Sequence, residues 1–320
     1  MAQAVSSPSG IAVEVSNLTK TFGAVTAVEE LSFAVPEGQI AGFVGPNGSG
    51  KSTTLRILAT LSRQDSGMAS VMGMDVRMTT NRRRVRRSIG FMPDYAGLFP
   101  GMTAWEFLEF FAAAHRIPRD HRHGLIDDIL ALVDLTGKRD EPVEGLSRGM
   151  QQKLSLGRCL VHDPAILLLD EPASGLDPRA RVELLGCLQE LRQMGKTILI
   201  SSHILGELEP LCDMLVIIER GKMAYCGSMA AAATVTRGDC LDYEVVVDGD
   251  AEEAAEAIRG IPGVSEASLE GSSGVVHVVC EGALGAADFI SASVAAGVRI
   301  AEARRVRPDL ERVFLDLTEG

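Results

Sequence analysis

Nine residues, GPNGSGKST at Gly45 to Thr53, fit the spacing G-x-x-x-x-G-K-[ST] and could hold a phosphate chain. Gly45, Gly48 and Gly50 have no Cβ, so the backbone can pass through left-handed dihedrals and bring successive N–H groups to one anion. Pro46, Asn47 and Ser49 complete the turn between them, and Thr53 closes the pattern. Lys51 offers a cation for the β and γ phosphates and Ser52 a hydroxyl for Mg²⁺. The helix expected to open near Lys51 adds unpaired first-turn donors and the positive end of its dipole. Taken alone, this is a phosphate cradle of unspecified purpose.

Three further residues could turn the cradle into a reactive site. Ala165 to Leu169 is a continuous apolar run closed by Asp170 and Glu171, the pattern of a strand buried on both faces. Thr197 to Ser202 is a second such strand and ends at His203. In open α/β sheets ligands bind at the carboxyl ends of strands, so Asp170, Glu171 and His203 are expected beside the phosphates. Ile40 to Val44 is the strand that leads into the cradle, and Pro178 to Met194 is a helix between the other two strands.

A second anion site is written into Gly145 to His162. Ser147 is placed to cap a helix whose apolar stripe includes Leu154, Leu156 and Leu160, and Ser147 with Gly149 would present a hydroxyl and N–H groups at its positive end. One γ-phosphate cannot readily sit at two helix N-termini of the same domain. The second site is therefore expected to serve a nucleotide held by another copy.

The rest of the chain must position these groups. Ile11 to Val15 and Leu31 to Val35 read as half-buried antiparallel strands, with Phe22 and Gly23 in a turn between them. Phe22 could stack on a base or fill a core; core is the ordinary fate of an aromatic. Gly67 to Gly73 and Ser88 to Met92 are short strands, the latter followed by Pro93 and Asp94. Between them, Asn81 to Arg87 (NRRRVRR) is a basic run, read as a solvated helix face, with contact to acidic headgroups or a membrane partner as the sharper alternative. Thr103 to Ile117 and Arg119 to Leu135 are helices, the first with an aromatic stripe of Trp105, Phe107, Phe110 and Phe111 that fits core or a docking surface. His121 and His123 lie in a polar turn with no third ligand near and read as surface. From Gly227 the elements shorten. A strand at Tyr243 to Val247, a helix at Glu252 to Ile261, strands at Ser265 to Leu269 and Val275 to Cys280, a helix at Ala286 to Ala296 and a strand at Arg299 to Val306 make a βαββαβ order, a small ferredoxin-like domain. The expected divisions are a tail at 1–10, a nucleotide-binding domain at 11–227, a linker at 228–241 and an α+β accessory domain at 242–320.

Composition bounds the partners. The 320 residues carry 43 acidic against 31 basic side chains, a net charge of −12, which argues against a general nucleic-acid binder. The six cysteines are scattered without a CxxC pair and no apolar run nears the ~18 residues of a spanning helix, so reduced thiols and a cytoplasmic setting are expected.

The motifs GPNGSGKST, LSRGM, ILLLDEP, SGLD and SSH stand in the order found in the ATP-binding subunits of ABC transporters, and from Ile11 to about Gly227 the chain resembles that family. The resemblance implies an α/β P-loop NTPase fold with a mixed sheet core, an antiparallel β subdomain and a helical subdomain. It implies ATP and Mg²⁺ as ligands, adenine stacking at Phe22 in place of core filling, phosphate binding by Lys51 and Ser52, and a Mg²⁺ shell ordered by Asp170. Glu171 would polarise the attacking water, His203 would contact the γ-phosphate, and Ser174 to Asp177 would cross a dimer interface. The function implied is an ATPase that dimerises on ATP and drives a separate membrane permease, resting on the inner face of the cell membrane, with a second ATP-binding subunit, homologous or identical, as its partner.

Two positions depart from the family. Asp94 stands where glutamine is usual; it could ligate Mg²⁺ with a shorter reach and an added charge, or be a turn residue. Arg148 and Met150 stand where glycine and glutamine are usual, leaving Ser147 and Gly149 intact. The tail ending PDLERVFLDLTEG is similar to those of bacterial drug, lipid or polymer exporters. The rival function is a non-transport ABC module acting on a soluble complex, but such members usually carry two cassettes or a long coiled coil, and this chain shows neither. A P-loop kinase or GTPase leaves LSRGM and DEP followed by SGLD unexplained.

Overall fold

The computed structural model describes residues 10–95, 97–229, 231–232, 241–269, 274–281 and 284–306. The expected N-terminal tail up to residue 9, most of the expected linker, and the PDLERVFLDLTEG tail lie outside the described residues. The chain forms two compact units, Met1–Met229 and Ala230–Gly320.

In the first unit, β1 (Ile11–Phe22) and β2 (Val25–Pro36) form a long antiparallel hairpin. Strands β4 (Ser66–Val71) and β5 (Met74–Asp75) extend it in the order β2-β1-β4-β5. The hairpin runs well past the short strands read from alternation. The register shifts around Asn17, whose φ is +48° and whose backbone N–H is taken by Ser32 Oγ at 2.8 Å, so the inward-outward pattern slips while the pairing continues.

The second sheet has six strands in the order β10-β9-β3-β8-β7-β6. Strands β3 (Ile40–Val44), β6 (Ile89–Met92), β7 (Ile166–Asp170), β8 (Thr197–Ser202) and β9 (Met214–Glu219) are parallel, and β10 (Lys222–Ser228) closes one edge antiparallel to β9. Every residue of β3, β7 and β8 is buried, as their unbroken apolar runs require. Their carboxyl ends are level: Val44 pairs with Ser202, and Asp170 with Ser201.

Helices α1 (Lys51–Leu58) and α6 (Pro178–Gln193) pack on this sheet, and α2 (Arg82–Ser88) and α7 (Leu205–Leu208) are short connectors. Helices α3 (Ala104–Ala114), α4 (Arg119–Leu132) and α5 (Arg148–Leu160) pack together as a helical layer. Thr103 opens α3 with a capping box to Glu106, and Phe107 and Leu108 are core while Phe110 stays 45% exposed. His121 and His123 fall within α4 and not in a turn, where His123 Nδ1 meets Asp127 at 3.1 Å.

The second unit has the topology read from its sequence. Strands β11 (Leu241–Val247), β12 (Val264–Leu269), β13 (Val275–Cys280) and β14 (Ile300–Val306) alternate with α8 (Ala251–Arg259) and α9 (Ala286–Ala295) as βαββαβ. All pairings are antiparallel, in the order β12-β13-β11-β14, the ferredoxin-like arrangement. Its core is built on Tyr243 stacked on Phe289 at 4.9 Å, with Val245, Ile258, Val276 and Val278 around them.

Candidate functional site

The cradle is shaped by close backbone approach. A Cβ at Gly45 would collide with the Ile218 carbonyl of β9, and one at Gly50 with the Ala27 carbonyl of β2; Gly50 also has a φ of +108°. Gly50 is the N-cap of α1 and offers no side-chain cap, so the first-turn N–H groups stay available to an anion. The loop is pinned where Gly45 N–H donates to Ser202 O and Gly221 N–H donates to Ser49 O.

Lys51 is buried at 5% exposure and its ammonium donates to the loop's own carbonyls, Gly45 O at 2.6 Å and Pro46 O at 3.1 Å. It also lies 3.4 Å from Glu171 Oε1. Glu171 Oε2 is in turn 2.8 Å from His203 Nδ1, so lysine, carboxylate and imidazole form one row across the ends of β3, β7 and β8.

Asp170 is wholly buried. Ser52 Oγ donates to its Oδ1 at 3.0 Å and Ser201 Oγ at 2.9 Å, while Oδ2 has no partner. Burial raises the Asp170 carboxyl above the usual range; the two serine hydrogen bonds oppose that shift, and the charge of nearby Asp94 adds to it. A buried orphan oxygen beside a serine hydroxyl, with a second carboxylate close by, is the hard-oxygen donor set that suits Mg²⁺. Ser49 Oγ is a second buried, unpartnered polar atom in the same cradle. Both orphans fit a site built to hold phosphate oxygens and a divalent cation.

Ser201 is a residue that the sequence reading missed. Besides donating to Asp170, its hydroxyl accepts from Glu171 N–H at 2.9 Å, and so fixes both acidic residues. It is the first residue of SSH, of which only His203 was given a role from sequence, and the register of β7 against β8 puts it beside both carboxylates.

Phe22 is not in the core. It ends β1 at the hairpin tip, 54% exposed, with Lys20 Nζ 5.1 Å from its ring centre. Ser147 caps α5 by accepting from Met150 N–H at 3.3 Å, and Gly149 packs on Ala180 of α6. The structure thus brings Lys51, Ser52, Asp170, Glu171 and His203 into one cluster with Asp94 near it, and sets Ser147 and Gly149 at a separate helix end.

A groove of about 490 Å³ includes Pro93, next to Asp94 in the chain, and is lined by Leu61, Phe91 and Phe111 together with Arg56, Arg86 and Arg158. His115 and His162, also in its lining, stack with ring centres 4.1 Å apart.

Known proteins resemble the chain in sequence and in fold. The family described as ABC transporter matches residues 28–174. A linearmycin resistance ATP-binding protein of Bacillus subtilis is 29% identical over 307 residues, 96% of this chain and 98% of its own. A Nod factor export ATP-binding protein of Burkholderia lata is 40% identical over 210 residues, 66% of this chain and 68% of its own. Among solved structures, an ATP binding subunit of an ABC transporter superposes with a TM-score of 0.62 at 28% identity, over 69% of this chain and 91% of its own. A dimeric ATP-binding cassette with ADP and Pi superposes equally well, at 24% identity over 68% of this chain and 98% of its own, and so shares the fold.

Proposed function

The chain belongs to the ATP-binding subunits of ABC transporters, and we propose that its hydrolytic site combines Phe22, Gly45 to Thr53, Asp94, Asp170, Glu171 and His203 of one chain with Ser147 and Gly149 of another. The chain is an ATPase that cleaves ATP with water to ADP and phosphate and couples this to transport. The observation that carries the site assignment is the row Lys51, Glu171, His203 beside the Ser52–Asp170 pair.

Phosphoryl transfer needs positioning and charge stabilisation more than covalent help, and the row supplies both. Lys51 and the N–H groups of the cradle bind the phosphate chain. Glu171 takes the proton of the attacking water, held in place by His203 at one oxygen and Lys51 at the other. Phe22 stacks on adenine from the hairpin tip. Ser52 Oγ, Asp170 Oδ2 and Asp94 would hold Mg²⁺, which when bound neutralises phosphate charge.

The partner is a membrane permease, with transport in the export direction; the chain thereby sits peripherally on the inner face of the membrane. No described helix is long and apolar enough to cross a bilayer. The apolar groove beside Pro93 supports the permease reading, since a short apolar helix with acidic flanks would fill it and meet the three arginines. The second unit lies within the alignment to the linearmycin resistance relative and serves as an accessory domain to the same assembly. The non-transport alternative is not favoured, because the named functions among these relatives are export and resistance. Purification from native membranes tests the reading. Co-elution of a multi-span protein, with ATP turnover that needs Mg²⁺, is expected; elution only with soluble proteins overturns the transport role.

A further inference from the structure

We propose that the arginine-rich helix α2 binds the acidic headgroups of the bilayer beside the permease, so that the chain touches lipid directly as well as through its partner. The inference rests on the permease reading above. From Val76 to Pro93 the chain carries six arginines and no acidic residue, against a net charge of −12 for the whole. Five of them, Arg82, Arg83, Arg84, Arg86 and Arg87, lie in α2, where Val85 alone is buried and ties the helix to the core.

Two of the six are used inside the molecule. Arg77 pairs with Asp75 at 3.4 Å, and Arg86 donates from Nε to Thr60 Oγ1 at 2.7 Å. Arg83, Arg84 and Arg87 are exposed and make no hydrogen bond or ion pair among the described residues. Arg83 and Arg87 each stand two residues from Val85, so they share the side of α2 away from the core, one turn apart. Like charges at that spacing weaken a helix. Among the described residues no carboxylate offsets these three, so the charge is carried against local stability, as a surface that meets anions from outside requires.

The surroundings of α2 indicate what the anion is. Leu61 is 61% exposed and Met78 is 55% exposed. Leu61 follows Thr60, the residue that holds Arg86, and Met78 stands in the turn into α2, its carbonyl accepting from Asn81 N–H at 2.9 Å. Large apolar side chains set among unpaired arginines suit the headgroup boundary, where guanidinium meets phosphate and the apolar group dips beneath it. Arg86 and Leu61 also line the groove proposed for the permease, so α2 borders the face that the permease, and with it the membrane, must approach. Arg83, Arg84 and Arg87 point around an outward arc of the helix. Mobile lipids can bring a phosphate to each of them, where a protein would need three matched carboxylates.

The test sediments the full chain with vesicles of phosphatidylcholine alone and of phosphatidylcholine mixed with phosphatidylglycerol. Binding is expected only to the acidic vesicles, and should weaken as salt rises. Each arginine near an acidic surface strengthens binding ~5-fold, so the triple variant Arg83→Gln, Arg84→Gln, Arg87→Gln should lose ~100-fold. Lysine at the same three positions should keep most of the binding, and ATP turnover should be unchanged in both variants. Equal binding to the two kinds of vesicle, or a glutamine variant that binds acidic vesicles as wild type does, overturns the proposal. If that variant holds the vesicles yet is lost from native membranes, the arginines serve an acidic protein instead. Vesicle binding without co-elution of a multi-span protein from native membranes would support the lipid contact and remove the permease; co-elution without vesicle binding would remove only the lipid contact.

Discussion

His203 Nδ1 lies 2.8 Å from Glu171 Oε2, so the candidate base and the histidine that follows β8 are one hydrogen-bonded unit. In the tautomer protonated at Nδ1, the ring donates to Glu171 and fixes its rotamer. Glu171 itself has a φ of +49°, uncommon for a residue with a long side chain, and is kept there by Ser201 at its N–H and by its two side-chain neighbours. Strain held by surrounding contacts at this position is what a precisely aimed base needs.

Glu171→Gln keeps the shape and removes the base. We expect ATP binding close to wild type, kcat lower by ~10²–10⁴-fold, and a dimer trapped with ATP. Steady-state turnover with size-exclusion chromatography reads both; wild-type turnover would sink the assignment. His203→Ala should lower kcat with little change in ATP affinity.

Ser201→Ala strips the Glu171 N–H of its acceptor and Asp170 of a donor. A buried group left unsatisfied costs about 1–3 kcal/mol, so a lower melting temperature is expected together with a kcat loss of roughly tenfold. Ser201→Thr, which retains the hydroxyl, should keep most of the activity. Equal damage from both variants would assign the effect to packing.

Asp170→Asn should separate stability from activity. Burial raises the folded pKa of Asp170 above its unfolded value of 3.8, so its ionised form is disfavoured in the folded chain. The penalty is absent at a pH below 3.8, grows as the pH rises through the window between the unfolded and the raised folded pKa, and is full above it. Asparagine keeps an acceptor for Ser52 and Ser201 and removes the charge. At neutral pH the Mg²⁺-free variant is expected to melt higher than wild type by about 2–4 °C for each kcal/mol relieved, the gap closing on acidification, while hydrolysis falls to background. A variant that melts lower at neutral pH would contradict the desolvation account.

Phe22→Ala removes an exposed ring and should leave stability unchanged. Loss of base stacking, worth about 1–3 kcal/mol, should weaken ATP binding by roughly 5- to 150-fold, whereas Phe22→Trp should preserve it. Fluorescence titration with ATP measures this, and unchanged affinity in the alanine variant would leave the ring without a nucleotide role.

Much of the framework was legible because its signals are local. Unbroken apolar runs marked β3, β7 and β8, glycine spacing marked the cradle, and the short elements after Gly227 gave the βαββαβ order. What was not legible depends on register or contact between distant segments. Ser201 gains its role from pairing beside Asp170, the hairpin's length was hidden by the irregularity at Asn17, and the exposure of Phe22 follows from its place at a hairpin tip. Arg148 read as a departure from a motif, and only the approach of Gly175 gave its side chain a place.

The ammonium of Lys51 is already satisfied by Gly45 O and Pro46 O and faces Glu171. Any incoming ligand must therefore compete with the loop for its own cation. A chain of phosphates carrying several charges is better placed than a monoanion to draw the lysine away, because it can also take the N–H groups of the cradle. The cradle is thus expected to favour polyphosphates over solitary anions through the number of charges they bring.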